Sequence, residues 1–428
     1  MSEPKPQGKP FDIDKMLVWE AYQRVAANKG APGVDEVSVA EFEQDVKNNL
    51  YKIWNRLSSG TYFPPPVRAV EIPKAHGPGT RMLGVPTVGD RIAQTVVKLV
   101  LEPRVEPVFH PDSYGYRPHR SAHDALAVCR QRCFDLDWVL DLDIEAFFDS
   151  VPHEKVLAAV NHHTVEQDHR LRWIGLYVSR WLTAPIQHPD GRVEPRDRGT
   201  PQGSAISPLL ANLFMHYAFD RWLADNHPQV RFERYCDDAV VHCRSHEQAV
   251  LVREAIAARL AEFGLRLHPD KTRIVYCKDS KRRGEHETTS FVFLGFEFRP
   301  RRARSRHGKL FVGFLPAISP DAAKKIGNQI RSWRLGRRSG STLRDLARLI
   351  NPVVAGWITY YGRFYRSKVI TLLARLNRHL ERWASHKYKG YTRRKAAARF
   401  VEVATAWPRL FAHWHAGAHP RGWATGAV

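Results

Sequence analysis

Apolar positions near the start of the chain recur at helical spacing. Met16, Leu17, Trp19, Tyr22, Val25 and Ala26 predict an amphipathic helix over 12–28. The run Gly30-Ala31-Pro32-Gly33-Val34-Asp35 breaks it, and a second helix is expected over 38–58, ending before Gly60. Pro64-Pro65-Pro66 then forces extended chain. From there the period falls to two. Residues 67–72 and 81–86 read as the strands of a hairpin that turns at His76-Gly77-Pro78-Gly79. Helices are expected over 90–108 and from Ser121 to Cys133. Residues 138–145 alternate apolar and acidic, the pattern of a half-buried strand. Further helices follow Pro152, span 166–182, run from Ser207-Pro208 to Ala224, and span 246–263, closed by Gly264. Ser207 reads as the N-cap and Pro208 as the first helical residue. Short hairpins are expected around Pro189-Asp190-Gly191 and around Asp237-Asp238. Residues 291–298 read as one strand and 299–314 as a basic hairpin. Three helices, over 320–334, 342–362 and 367–387, complete the pattern. The chain is therefore an α/β body followed by an α-helical region.

Two stretches stand out against this pattern. Asp237-Asp238 sits between Phe232, Tyr235 and Val240, Val241, which favour strands while Asp does not. Alone, the pair marks only a hairpin turn with solvated acids. Upstream, Asp141, Asp143 and Glu145 fall on one face of a strand. Acids stacked that way repel unless a cation sits among them. Mg²⁺ is commonly held by one or two carboxylates plus substrate phosphates. Asp143 beside Asp237 and Asp238 would make a two-metal site for in-line displacement at phosphorus.

Charge changes the picture of the C-terminal region. Net charge is +22 over 428 residues. Residues 301–428 hold 27 Lys and Arg against 4 Asp and Glu, while residues 1–300 hold 39 against 40. A block that positive, laced with aromatics, points to a polyanion, nucleic acid above all. The five cysteines show no C-x-x-C spacing and read as free thiols in a reducing, cytoplasmic setting. Residues 1–10 read as a flexible tail, and no run reaches membrane-spanning length.

Several other residues suit a phosphate-bearing substrate. Lys74 and Arg81 lie near a hairpin tip, where Arg suits bidentate phosphate contact. The loop around Gly199, Gln202 and Gly203 lets backbone approach a ligand at a helix start. Phe148 lies five residues past Asp143, within reach of a nucleotide sugar. Lys271, in the turn before a strand, is placed to reach leaving phosphates. Arg363, Arg366 and Lys368 read as one wall of a groove. Lys387, Lys389, Arg393, Arg394 and Lys395 alternate with tyrosines, a nucleic-acid-like mixture.

These pieces, in this order, resemble the reverse transcriptase of bacterial group II introns, also called the intron maturase. Gly30 to Asp35 resembles the family's N-terminal extension; Lys74, Arg81 and Arg91 fall in its fingers motifs. Asp143-Ile144-Glu145-Ala146-Phe147-Phe148-Asp149 resembles the first palm motif. Gly199 to Asn212 resembles the template- and nucleotide-positioning segment, and Tyr235-Cys236-Asp237-Asp238 the metal hairpin. Phe293-Leu294-Gly295-Phe296 resembles the primer grip. Gly356 to Tyr361 and Trp383 to Lys389 resemble the thumb and maturase domain.

The resemblance implies a right-hand polymerase: tail 1–10, N-terminal extension and fingers 11–135, palm 136–300, helical thumb and maturase domain 301–428. It implies two Mg²⁺ ions, with Mn²⁺ as a substitute, on Asp143, Asp237, Asp238 and the Ile144 carbonyl. It further implies dNTP substrates, a DNA primer on an RNA template, a group II intron RNA as partner and a DNA target, with no membrane. Phe148 would exclude a 2′-hydroxyl. Cys236 stands where the family usually has Ala, and no C-terminal array of paired Cys and His signals an endonuclease. Two alternatives stay open on this reading. One is a splicing cofactor with little polymerase activity; the other is a host-adopted relative serving DNA repair or phage defence.

Overall fold

The computed structural model describes residues 9–73, 79–305, 307–388 and 390–423. The chain forms two compact units, and neither is a continuous segment. One takes Met1–Ala125 and Leu140–Ile274; the other takes Leu126–Val139 and Val275–Val428. The boundary expected at residue 300 thus differs from the division seen, which falls near 275 and places a short upstream segment with the C-terminal region.

The first unit opens with helices Lys15–Ala27, Val39–Glu43 and Val46–Ser59. Asp14 caps the first, accepting from the Met16 N–H at 2.8 Å. Ser38 and Glu41 form a reciprocal capping box on the second. Two strands, β1 (Val67–Pro73) and β2 (Thr80–Val85), pair antiparallel, with Arg68 opposite Val85. Strand β3 is Trp138–Leu142, and β4 (Ile186–Gln187) and β5 (Val193–Glu194) make the small hairpin. The sheet order is β2–β1–β4–β5. Strands β6 (Arg231–Tyr235) and β7 (Asp238–Cys243) form the expected Asp-tipped hairpin. They join β3 and β8 (Arg273–Tyr276) in the order β6–β7–β3–β8. Helix Val88–Val105 packs against the first helix, and His153–His162 against Ser207–Met215.

Two expectations in this unit need correction. The acidic strand ends at Leu142, so Asp143 and Glu145 lie beyond it; only an isolated bridge from Ile144 to Leu267 continues the pairing. The helix after the Gly-rich loop is capped at Ile206 rather than Ser207, whose hydroxyl accepts from Thr200 Oγ1 instead. That helix also loosens into a π turn over His216–Asp220 before resuming as Arg221–Asn226. Single π turns often mark functional sites, and this one carries a buried aspartate used below.

In the second unit, residues 291–298 are two strands rather than one. β9 (Phe291–Phe293) folds back directly on β10 (Phe296–Arg304), and β11 (Leu310–Ile318) completes the sheet. The turn is two residues long, with Leu294 at φ 49° and Gly295 at φ 78°. Positive φ at both positions is the primed turn that matches strand twist. Aromatic rings of the following helix, Leu343–Tyr361, close over it. The Tyr360 hydroxyl donates to the Leu294 carbonyl at 2.9 Å, and the Tyr360 and Tyr361 rings lie within 5.5 Å of Phe296. Phe296 is fully buried, and the two tyrosine rings are half-buried against it.

The expected helix over 367–387 is two, Arg366–Leu373 and Arg375–Lys387. A further helix, Arg393–Ala406, begins at the N-cap Thr392. Leu373, Leu376, Leu380, Trp383, Phe411 and Trp414 form its buried centre. Arg282 ties in the upstream segment: it pairs with Asp137 at 2.6 Å and donates to the carbonyls of Cys133, Phe134 and Leu136. Among the described residues no helix is long and apolar enough to cross a membrane.

Gly295→Ala places a methyl group in left-handed backbone and 3.3 Å from the Tyr361 hydroxyl. It is expected to cost about 1–2 kcal/mol, read as a lower urea midpoint for the full chain.

Candidate active site

The site is built on neighbouring strands of the first unit. Strand β3 delivers Asp143 just past its end; β6 and β7 deliver Asp237 and Asp238 at their turn. Tyr235 and Asp238 pair, so Cys236-Asp237 is a two-residue turn, with Cys236 at φ 64°. A side chain there is strained, and the structure must hold it. Arg234 does so. Its guanidinium is fully buried and donates to the Cys236 carbonyl at 2.7 Å. It also forks onto Asp220 with two bonds of 2.6 Å and reaches Asn212 Oδ1 and Ser113 Oγ at 3.0 and 2.8 Å. Asn212 in turn donates to the Gly115 carbonyl at 2.6 Å. Gly115 lies so close that a Cβ would meet the Cys236 nitrogen at 2.6 Å, which only glycine tolerates. One arginine therefore joins the turn, the 112–117 loop and the π turn.

The acids differ in their surroundings. Asp141 is buried and bonds Arg273 at 3.1 Å; burial pushes its carboxyl up to about 6 against the pull of that arginine. Glu145 bonds Arg266 at 2.8 Å, which holds it below the usual range. The expected stack of three repelling acids is thus neutralised at two positions by the chain's own arginines. Asp143 is the third. Its only ion pair among the described residues is with Lys271 at 3.5 Å, and both side chains are open to solvent, 39% and 60% exposed. Such a pair is worth about 0–1 kcal/mol and is easily displaced. Asp237 is raised by burial first, with the charge of Asp143 adding to the shift. The two carboxylates therefore sense one another across β3 and β7. This donor set, hard oxygens crowded in partial burial, fits divalent cations. The bonds of the Ile144–Leu267 bridge run through Glu145 N–H to Arg266 and His268 N–H to Asp143, leaving the Ile144 carbonyl outside the pairing.

The Gly-rich loop is bonded to the segment that follows Asp143. The Gly199 and Thr200 N–H groups donate to the Val151 and Phe148 carbonyls at 2.8 and 2.7 Å. Gly84 N–H of β2 donates to the Gln202 carbonyl at 2.8 Å, and Gly203 (φ 117°) abuts the Gly84 carbonyl. Gln94 locks the far end, accepting from Ser204 Oγ and Ala205 N–H at 2.6 and 2.9 Å. Gln94 itself donates to buried Asp90, which also accepts from Tyr62 and Trp181. Phe147 is core, while Phe148 is half-buried and meets it edge to face. Arg81 is exposed and near enough to Tyr116 to act on its hydroxyl. Lys74 and Lys389, with the side chain of Arg393, lie outside the described residues.

In the second unit Arg363, Arg366, Lys368, Arg394 and Lys395 are exposed. Lys387 is partly spent on structure, donating to the Ser339 and Ser341 carbonyls at 2.9 and 2.8 Å. Sequence reasoning missed Arg234, Asp220 and Gln94 as supports; their partners lie up to 121 residues away and leave no local pattern.

Residues 72–298 match the family described as reverse transcriptase (RNA-dependent DNA polymerase). The chain belongs to the reverse transcriptase family. Residues 323–401 match the group II intron, maturase-specific domain. Protein YkfC of Escherichia coli (strain K12) is 32% identical over 366 residues, 76% of this chain and 90% of that protein. The group II intron-encoded protein LtrA of Lactococcus lactis subsp. cremoris is 33% identical over 203 residues, 47% of this chain and 32% of that protein. Among solved structures, telomerase from Candida albicans in complex with a fragment of telomeric RNA aligns with a TM-score of 0.46 at 11% identity, over 88% of this chain and 68% of that one. This reverse transcriptase has the right-hand polymerase fold, an α/β fingers-and-palm region followed by a helical region with the maturase domain. Asp143, Asp237 and Asp238 all fall within the matched segment. Reverse transcriptases are nucleotidyltransferases that typically use divalent metal ions, and the maturase domain marks an RNA-binding protein.

Arg234→Met in this reverse transcriptase leaves Asp220 buried without a partner. It is expected to cost about 3–5 kcal/mol, and adding Asp220→Leu should restore more than half of that; denaturant unfolding of the two variants is the check. A second expectation concerns pH. Burial raises Asp90 to about 6 despite its three donors. A buried acid with a raised pKa binds its proton more tightly folded than unfolded. Its contribution to stability is therefore lost as pH rises from about 4 to about 6. Asp90→Asn removes this loss, so the substitution should be costlier at pH 4.5 than at pH 7, measured as unfolding free energies of both proteins.

Proposed function

We propose that the protein copies RNA into DNA by extending a DNA primer on an RNA template, with Asp143 and Asp237 as the metal-binding carboxylates. The observation that carries this reading is their convergence from adjacent strands, with the charge of one raising the proton affinity of the other. Mg²⁺ ions, when bound, supply the charge that lowers the pKa of a primer 3′-hydroxyl and stabilises departing pyrophosphate; Mn²⁺ serves the same purpose. Asp238 and the free Ile144 carbonyl complete the oxygen set. Arg234 keeps the turn from relaxing when charge arrives. Lys271, released from Asp143, and Arg81 and Lys74 meet the triphosphate. Gln202 and Gly203, pinned to β2, give the incoming dNTP a fixed backbone surface, and Phe148 presents its half-exposed ring to the sugar.

The second unit takes the RNA. Its basic excess and its maturase-domain match support binding to a group II intron RNA that assists splicing, alongside engagement of a DNA target. Arg363, Arg366, Lys387, Lys389, Arg393, Arg394 and Lys395 are the candidate contacts. Polymerisation and splicing assistance use different units and are separable.

Asp143→Asn and Asp237→Asn should each lower primer extension on an RNA template by about a thousandfold or more, the scale of lost electrostatic stabilisation of a transition state. RNA affinity measured by filter binding should stay within about twofold. Retained extension in either variant would remove that carboxylate from the mechanism.

A further inference from the structure

The second unit contains a cleft of about 400 Å³ between its β10–β11 hairpin and the residues that follow helix Leu343–Tyr361. Arg130, Arg302, Arg304 and Arg366 line it, with the rings of Phe364 and Tyr365. Strand alternation sorts the arginines of β10. Arg299 and Arg301 share a face with Glu297 and pair with it at 3.1 and 2.8 Å. Arg302 and Arg304 fall on the other face. Among the described residues, no carboxylate pairs with either of them, nor with Arg130 or Arg366. All four are exposed. Four guanidiniums around one cleft repel, so the arrangement costs free energy until an anion enters.

The rings are held in place. The Tyr365 hydroxyl donates to the Arg302 carbonyl at 2.9 Å, and Phe364 packs edge-on against Phe296 at 5.5 Å. Both keep part of their surface open. Arg366 donates to the Ala416 carbonyl at 3.2 Å, but no carboxylate neutralises the four guanidiniums, and a fixed ring beside them suits a stacked base flanked by phosphates. Arginine rather than lysine at all four positions favours forked contacts to phosphate oxygens. The volume suits about one nucleotide.

We propose that this cleft is a binding site for an unpaired stretch of RNA, with one base seated against Phe364 and Tyr365 and its flanking phosphates held by Arg302, Arg304, Arg130 and Arg366. It rests on the RNA-binding reading above and names where an unpaired strand enters. It is separate from the acidic site in sequence and in unit.

The test uses the full chain and a fluorescein-labelled, unstructured RNA 12-mer, with anisotropy read across a salt series. Arg302→Ser/Arg304→Ser is compared with Lys324→Ser/Lys325→Ser, which removes equal charge from exposed positions on helix Pro320–Ser332 of the same unit. The cleft variant should bind at least tenfold more weakly than wild type. Its log K against log salt slope should shrink by about 1.4, or about 0.7 per lost contact to a single strand. The lysine variant should stay within about twofold. Circular dichroism melting checks that both variants fold as wild type does. Equal loss in both variants, or none in the cleft variant, would overturn the site while wild-type RNA binding still stood. Equal loss for a labelled RNA duplex would overturn the unpaired-strand assignment. Competition by millimolar uridine monophosphate as effective as by the 12-mer would make it a small-anion site instead.

Discussion

A guanidinium with no exposure to water holds the Cys236-Asp237 turn of this protein in place. Arg234 is costly to bury, and the cost is offset because its donors reach Asp220, Asn212, Ser113 and the Cys236 carbonyl. Without it, the Cys236 backbone at φ 64° would have little reason to stay there. The carboxylate of Asp237 follows that backbone directly. Gly115 and the π turn that carries Asp220 are best understood as accommodations to the same arginine. The turn itself is short and polar; its geometry belongs to residues remote in sequence.

The acids beside it illustrate how a protein distributes one electrostatic problem. Three carboxylates in five residues would repel if left alone. Arg273 and Arg266 pair with two of them, at 3.1 and 2.8 Å. Asp143 receives only a solvent-exposed lysine. One carboxylate, just past the end of β3, thus stays in a state that another cation can take over, and a second, in the turn before β7, has its proton affinity already raised. Cys236, buried within the turn, has its thiol pushed up by burial, which keeps it neutral beside those charges.

Much of this was legible in the order of residues. Period-two and helical spacing located most strands and helices, and the Asp237-Asp238 hairpin stood out because aspartate is out of place among valines and tyrosines. What escaped was of two kinds. Local exceptions hid inside regular patterns: the turn at Leu294-Gly295 lies within an unbroken apolar alternation, with Gly295 as its one visible sign. Helix Arg393–Ala406 was read as a cationic stretch, although Thr392 and Ala396-Ala397-Ala398 are ordinary helix signals. The second kind was non-local. The bonds that tie Arg234 to Asp220, Asn212 and Ser113, Gln94 to Ser204 and Ala205, and Arg273 to Asp141 span 14 to 132 residues, beyond any local pattern.

The interleaving of the two units sets a schedule for synthesis. A ribosome delivers residues 126–139 well before the arginine that anchors them; Asp137 and Arg282 are 145 residues apart. At the usual 5–20 residues per second, that segment waits roughly 7–30 s for its partner. During the wait Leu126, Cys129 and Cys133, all fully buried in the finished protein, stay exposed on the nascent chain. No single cut in the gene separates the units either. A fragment beginning at residue 275 lacks the segment whose carbonyls Arg282 was built to meet.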